Sequence, residues 1–152
     1  MANKKIALAS DHAGFELKEE IKRFLIELGY SFDDFGTEGS KPVDYPDYAK
    51  SVSEKVSVGE YDRGILFCGS GVGMAIVANK FPNIRAVQTN DIYTAIMSRR
   101  HNDTNILALA GRVMGKDLAK EIVKTWLETP FEGGRHERRI KKIEEIEKKI
   151  RF

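Results

Sequence analysis

Residues 64–79, with the sequence GILFCGSGVGMAIVAN, decide the fold that we expect of this chain. The apolar run at 64–68 is too short for a helix and is rich in bulky side chains, which is typical of a buried strand. Glycines follow at alternate positions, and apolar side chains then recur at helical spacing over residues 72–79. The stretch therefore predicts a buried strand, a tight turn and a helix.

The turn itself has the features of an anion-binding loop, because it presents successive backbone N–H groups at the start of a helix. It is not a dinucleotide-binding fingerprint, since Met74 stands where the last glycine is needed, and it lacks the Gly-Lys-Ser/Thr of a P-loop. It also lacks the downstream arginine of a cysteine-dependent phosphatase. Cys68, the only cysteine, lies at the lip of the turn, where a thiolate is favoured. It is a candidate base or nucleophile, or a structural residue that ends the strand.

Length and composition narrow the class of protein. A chain of 152 residues, 41% of them hydrophobic, has the size of one compact domain, and we expect residues 1–152 to form one. A single cysteine cannot form an intrachain disulfide, and the first apolar run is too short for a signal peptide or membrane span. We therefore expect a cytoplasmic protein without membrane association. The 25 basic and 23 acidic residues are mixed along the chain, which is not typical of a nucleic-acid-binding protein.

Strand-like and helix-like patterns alternate along the whole chain. Strands are predicted at 4–10, 30–35, 64–68, 84–89 and 106–110, and each is followed by apolar residues at helical spacing. This alternation predicts a five-stranded parallel sheet covered by helices on both faces, a three-layer α/β/α sandwich. A charged C-terminal helix at about 136–150 carries an apolar stripe of isoleucines at 140, 143, 146 and 150. We expect the stripe to pack on a second copy of the chain in a homodimer, or else on its own domain.

Polar residues that follow the predicted strands are the candidate functional residues. In parallel sheets of this kind, ligands bind at the carboxyl ends of the strands. Arginine and histidine beside a glycine-rich loop suit an anionic substrate, because guanidinium groups bind phosphate through paired hydrogen bonds. The scattered candidates are Asp11, His12, Tyr45, His101, Asn102, Arg112, Arg135 and Arg139. The histidines at 12, 101 and 136 lack the spacing of metal ligands, so we expect no metal and no other cofactor.

Five motifs in the sequence resemble those of the B-type ribose-5-phosphate isomerases and the related subunits of galactose-6-phosphate isomerase. They are SDHAG at 10–14, DYP at 44–46, CGSGVG at 68–73, RHNDTN at 100–105 and EGGRH at 132–136. Their order and spread cover nearly the whole chain. The resemblance implies a flavodoxin-like or Rossmann-like sandwich, a homodimer or tetramer, and metal-free interconversion of ribose 5-phosphate and ribulose 5-phosphate.

The resemblance also implies roles for individual residues. Cys68 is implied as the base that moves a proton between adjacent carbons through a cis-enediolate. Ser70 is implied to shuttle protons between the two substrate oxygens, and His101 to open the furanose ring from the other subunit. Asp11 and Asn102 are implied to hold sugar hydroxyls.

The remaining roles implied by the resemblance concern binding of the substrate. Backbone N–H groups of the turn are implied to stabilise the oxyanion, those of Gly69, Gly71 and Gly73 among them. Tyr45 is implied to line the pocket. The phosphate is implied to be held by His12, Arg112, Arg135 and Arg139, some of them supplied by the partner.

Other functions stay open on the sequence alone. The pocket residues do not fix the length of the sugar, so a six-carbon substrate such as allose or galactose 6-phosphate is one alternative. A non-catalytic sugar-phosphate-binding or nucleotide-binding module would keep the glycines and arginines but would need neither Cys68 nor His101. A flavin-binding protein is disfavoured, because no convincing pair of aromatic residues lies near the predicted strand ends.

Overall fold

The computed structural model describes residues 4–150, in which five strands alternate with helices. In chain order the elements are β1 (Ile6–Ser10), α1 (Phe15–Leu28), β2 (Phe32–Asp34), α2 (Tyr45–Ser57), β3 (Arg63–Cys68), α3 (Val72–Ala78), β4 (Ala86–Gln88), α4 (Ile92–Asn102), β5 (Ile106–Ala110), α5 (Lys116–Glu128) and α6 (Arg135–Lys149). The strand, turn and helix that residues 64–79 predict are β3, the turn after it and α3. The predicted C-terminal helix is α6.

The strands form one parallel sheet in the order β2-β1-β3-β5-β4. Every residue of β1, β3 and β5 is buried, as expected of central strands covered on both faces. The edge strands β2 and β4 are three residues long and only partly buried or exposed. The fully apolar β5 therefore lies between β3 and β4, and β4 is the edge strand. The last two strands are thus exchanged relative to the order found in flavodoxin. The predicted three-layer α/β sandwich is confirmed.

Side chains that alternate along the central strands supply two apolar cores, one on each face of the sheet. On one face, Leu8 and Phe67 pack with residues of α1 and α5, including the fully buried Trp126. On the other face, Leu66 packs with residues of α2 and α3, including the fully buried Met74. The sheet is thereby fixed between two helical layers, and its carboxyl edge is left to the connecting turns.

Helix α6 contacts α4. Of its isoleucines, Ile140 is buried, whereas Ile143, Ile146 and Ile150 are exposed in the single chain. These three isoleucines line an apolar groove together with Phe81 and other residues around β4. None of the helices within residues 4–150 has the length and hydrophobicity needed to span a bilayer.

Candidate active site

Three turns meet at the carboxyl edge of the sheet, after β1, β3 and β5. The N–H of Asp11 donates to the carbonyl of Phe67 at 3.1 Å, and the N–H of Gly111 donates to the carbonyl of Cys68 at 2.7 Å. The N–H of Arg112 donates to the carbonyl of Gly69 at 3.1 Å. Backbone hydrogen bonds thus hold the three turns together.

Cys68 ends β3 and lies at the centre of this arrangement. Its side chain is buried, with 5% of the residue exposed, and its Sγ accepts a hydrogen bond from the N–H of Gly71 at 3.1 Å. Gly71 has a φ of 78°, and a Cβ there would come within 3.1 Å of the backbone of Leu109. The position therefore requires glycine. The N–H of Gly71 is thus already engaged by the sulfur.

Two larger side chains, those of Arg112 and Tyr45, approach the other residues of the turn. Ser70 is exposed, and its Oγ accepts a hydrogen bond from the N–H of Val72 at 3.3 Å. A Cβ on Gly69 would lie 3.4 Å from Cδ of Arg112, and a Cβ on Gly73 would lie 2.5 Å from Cε1 of Tyr45. Gly73 therefore allows the phenol ring of Tyr45 to approach the turn after β3, whereas a Cβ on Gly69 would make an ordinary contact with Arg112.

Asp11 and His12 lie in the turn after β1, and both have partners that fix them. Oδ1 of the buried Asp11 accepts a hydrogen bond from the N–H of Gly14 at 3.0 Å, which anchors the start of α1. Nδ1 of His12 accepts a hydrogen bond from the N–H of Val43 at 3.1 Å. A neutral His12 therefore carries its proton on Nε2, and this nitrogen is the donor available to an anion.

The remaining candidate residues lie at the opposite, amino edge of the sheet. His101 and Asn102 are the last residues of α4, and the carbonyl of Asn105, just before β5, accepts from the N–H of Gly64 at the start of β3. From Gly64 to Cys68 the sheet extends about 13 Å at the usual rise of 3.3 Å per residue. One chain therefore does not bring His101 and Asn102 to Cys68.

His101 belongs to a cluster that also contains Glu132 and His136. The imidazole rings of His101 and His136 are stacked, with centroids 4.1 Å apart and planes 11° from parallel. Oε1 of Glu132 lies 3.9 Å from Nε2 of His101 and 3.7 Å from Nε2 of His136. Burial lowers the pKa of His136, and the charges of Arg135 and Arg139 lower it further. These two predicted phosphate-binding residues therefore lie with the His101 group, on the first turns of α6.

Within residues 4–150, the set of His101, Glu132 and His136 is the one group of side chains whose donor atoms are close enough together to suggest a metal site. The orientation of the rings does not fit an ion. The lone pair of an imidazole nitrogen lies in the plane of its ring, and two stacked, nearly parallel rings do not direct their lone pairs at one point. As placed, the cluster does not hold a metal.

The involvement of Glu132 and His136 was not predicted as part of the site, although both lie in the EGGRH motif. The sequence offers only their spacing as a signal, and Glu132 precedes α6, so helical spacing does not place it. Its position follows from a long-range contact instead, because the N–H of Glu132 donates to the carbonyl of Arg100 at 3.1 Å.

The chain is similar in both sequence and structure to known sugar-phosphate isomerases. The family model described as Ribose/Galactose Isomerase matches residues 6–143. Ribose-5-phosphate isomerase B of Escherichia coli is 52% identical over 96% of this chain and 98% of its own length. D-erythrulose-4-phosphate isomerase of Pectobacterium atrosepticum is 41% identical over 91% of each chain.

Solved structures give the same result. The structure of ribose-5-phosphate isomerase B from Clostridium thermocellum superposes with a TM-score of 0.95 at 56% identity, over 97% of this chain and 99% of that one. The match covers all the elements that carry the two groups of candidate residues. The chain therefore belongs to the ribose/galactose isomerase family.

Proposed function

We propose that the protein interconverts ribose 5-phosphate and ribulose 5-phosphate through a cis-enediolate, with Cys68 as the base. The observation that carries this proposal is the position of the Cys68 sulfur, which lies at a strand end in a turn rich in backbone N–H groups. Arg112 lies over the same turn, and the family of the chain supports the reaction class. The E. coli relative, named for ribose 5-phosphate, supports the substrate.

In the proposed mechanism, the thiolate of Cys68 removes the proton from C2 of the open-chain aldose and delivers it to C1. Negative charge that develops on the substrate oxygens is stabilised by backbone N–H groups of the turn. Those of Gly69 and Gly73 are among them, whereas the N–H of Gly71 donates to the Cys68 sulfur. Ser70, which is exposed beside them, transfers a proton between O1 and O2 of the substrate. The atoms balance, because each proton removed from one position returns at the other.

Binding of the substrate is proposed to use the polar residues around the same turn. Nε2 of His12 and the guanidinium of Arg112 bind the phosphate, Asp11 binds a sugar hydroxyl, and Tyr45 lines the pocket. The further phosphate ligands Arg135 and Arg139, and Asn102 for a hydroxyl, belong to the group at the amino edge of the sheet.

We infer that a complete site is built from two copies of the chain, in a homodimer or in a tetramer of such dimers. His101 of the partner subunit then opens the furanose ring over Cys68, which the separation of the two groups within one chain supports. Asn102 borders the apolar groove that Ile143 and Ile146 also line, so the amino-edge group adjoins a surface suited to burial against a second copy.

The length of the sugar is the part of the proposal that the family leaves most open. The description of the family names galactose as well as ribose, which favours a six-carbon sugar phosphate as a second candidate substrate. The Pectobacterium relative is named for a four-carbon substrate. Comparison of kcat/KM for ribose 5-phosphate, allose 6-phosphate and galactose 6-phosphate decides between the candidates.

We further infer that the reaction requires no metal or cofactor and takes place in the cytoplasm. The stacked rings of His101 and His136 support the first point, because their lone pairs do not converge. The single cysteine, which cannot form an intrachain disulfide, supports the second.

The test of the proposed function is the Cys68→Ala variant, assayed for conversion of ribose 5-phosphate. Loss of a general base lowers kcat by roughly 100-fold or more, whereas binding of the sugar phosphate is retained. Near-wild-type conversion by Cys68→Ala would contradict the assignment of the base. If the wild-type chain binds sugar phosphate but catalyses neither conversion nor exchange of the C2 proton with solvent, the protein is a binding module.

A further inference from the structure

The cluster of His101, Glu132 and His136 contains two residues for which the proposed mechanism has no role. The side chain of His101 is 38% exposed, whereas that of His136 is 6% exposed. The His101 ring stacks on the buried His136 ring. The two rings are within 11° of parallel, so the position of His136 fixes the plane of the His101 ring.

Glu132 is held beside both rings by the backbone. Its N–H donates to the carbonyl of Arg100, the residue before His101, at 3.1 Å. Its Oε1 then lies 3.9 Å from Nε2 of His101, which is ion-pair range, while Oε2 lies 4.0 Å from Nε of Arg100. The contacts with Arg100 thus hold the Glu132 carboxylate against the last turn of α4, which also carries the His101 imidazole.

The surroundings of His136 hold its pKa below the usual value for histidine. Burial lowers its pKa, the charges of His101, Arg135 and Arg139 act in the same direction, and only Glu132 opposes them. The more exposed of the two rings, that of His101, is the one that a substrate can reach.

Opening of a furanose requires an imidazole that both accepts and donates protons. The C1 hydroxyl loses its proton, the bond from C1 to the ring oxygen O4 breaks, the C1 aldehyde forms, and O4 receives a proton. A neighbouring carboxylate favours the protonated state of the imidazole and orients its ring, as in other acid–base pairs.

We propose that Glu132 and His136 are positioning residues for His101, with His136 fixing the plane of its ring and Glu132 holding the imidazole beside its carboxylate. The inference rests on the proposed function, because only ring opening gives His101 this task.

The unpaired nitrogen of His136 argues against a role in packing alone. Nε2 of His136 is buried and forms no hydrogen bond with the described residues. A buried polar atom without a partner costs free energy that an apolar ring would avoid, so packing alone would favour an apolar side chain at this position. The nitrogen instead faces the carboxylate of Glu132 at 3.7 Å.

The test compares a substrate that must be opened with one that is already open. Ribose 5-phosphate closes through O4, whereas ribulose 5-phosphate has its carbonyl at C2 and its O5 phosphorylated, so it stays open. For Glu132→Gln we expect kcat for ribose 5-phosphate to fall about tenfold or more. We expect KM to stay within about twofold of wild type, and likewise the rate at which ribulose 5-phosphate exchanges its C1 proton with solvent deuterium, because this exchange forms the enediolate without any ring step.

Two further variants complete the experiment. Glu137→Gln removes an equal charge from an exposed position on α6, where the carboxylate pairs with Lys141 at 3.7 Å, and we expect it to behave as wild type. His136→Phe retains a ring under His101 but loses the nitrogen that faces Glu132, so it should retain more ribose 5-phosphate conversion than His136→Ala, which should lose as much as Glu132→Gln. Circular dichroism and the thermal midpoint establish that each variant is folded.

Equal slowing of ribose 5-phosphate conversion and of C1 proton exchange in Glu132→Gln, or no slowing of either, would overturn the role of Glu132. Equal loss of ribose 5-phosphate conversion in His136→Phe and His136→Ala would overturn the role of the stacked ring. Failure of the proposed function is distinguishable from both results, because a wild-type chain that consumes no ribulose 5-phosphate is not this isomerase, whatever the variants do.

Discussion

Two inactive variants of this chain should restore activity when they are mixed, if one site is built from two copies. We consider Cys68→Ala, which removes the base at the carboxyl edge of the sheet, and His101→Asn, which removes the ring-opening imidazole at the amino edge. In a dimer that contains one copy of each, one site carries both defects. The other site carries neither, because its Cys68 and its His101 come from the two chains that retain them.

The size of the recovery follows from the symmetry of the proposed assembly. Equal amounts of freely exchanging subunits give heterodimers as about half of all dimers, and each heterodimer has one intact site out of two. The mixture should therefore regain about one quarter of the wild-type specific activity toward ribose 5-phosphate.

The assay measures formation of ribulose 5-phosphate after the two variants are unfolded and refolded together, with exchange established by mass spectrometry of differently tagged chains. A matched control mixes Cys68→Ala with His12→Ala, because both residues lie in the carboxyl-edge group. Each heterodimer site then keeps one defect, and activity should not exceed the sum of the separate variants. Absence of recovery for Cys68→Ala and His101→Asn despite proven exchange would place both residues in the site of a single chain.

Two further predictions concern packing and pH. Gly73→Ala places a methyl group 2.5 Å from the ring of Tyr45, so we expect a raised KM for ribose 5-phosphate, with no additional increase when Tyr45→Ala is combined with it. Burial lowers the pKa of His136 below its usual 6.5, so at lower pH the unfolded chain binds a proton that the folded chain does not. The free energy of unfolding should therefore decline as the pH falls below about 6.5, and urea denaturation should show a shallower decline for His136→Gln. An unchanged pH dependence in that variant would exclude His136 as the cause.

Much of the fold follows from short-range pattern, because the central strands are buried on both faces. The unbroken apolar run Ile106–Ala110 needs no partner to be recognised as a strand. The position of β5 between β3 and β4 was not predicted, since it depends on which strand takes the more central position in the sheet. Ala86–Gln88 is too short and too exposed to hold the central place.

The candidate site divides in the same way. Strand ends predict that Asp11, Cys68 and Arg112 meet at one edge, because the carboxyl ends of parallel strands lie together. The stack of His101 on His136 depends on a long-range hydrogen bond between Glu132 and Arg100, for which the sequence contains no local signal. The hydrogen bond from the N–H of Gly71 to the Cys68 sulfur depends on a left-handed backbone conformation that glycine permits but does not require.

Division of the proposed site between two copies is a consequence of the α/β topology. A helix that follows a parallel strand runs back across the sheet, so its last residues lie at the edge opposite the strand's carboxyl end. His101 and Asn102 end α4 and are therefore remote from Cys68 in the same chain, however long their side chains. A second copy removes this constraint if it docks on the groove beside Asn102, where Ile143 and Ile146 remain exposed. The same isoleucines that would hold the copies together then determine whether the ring-opening residue reaches the base.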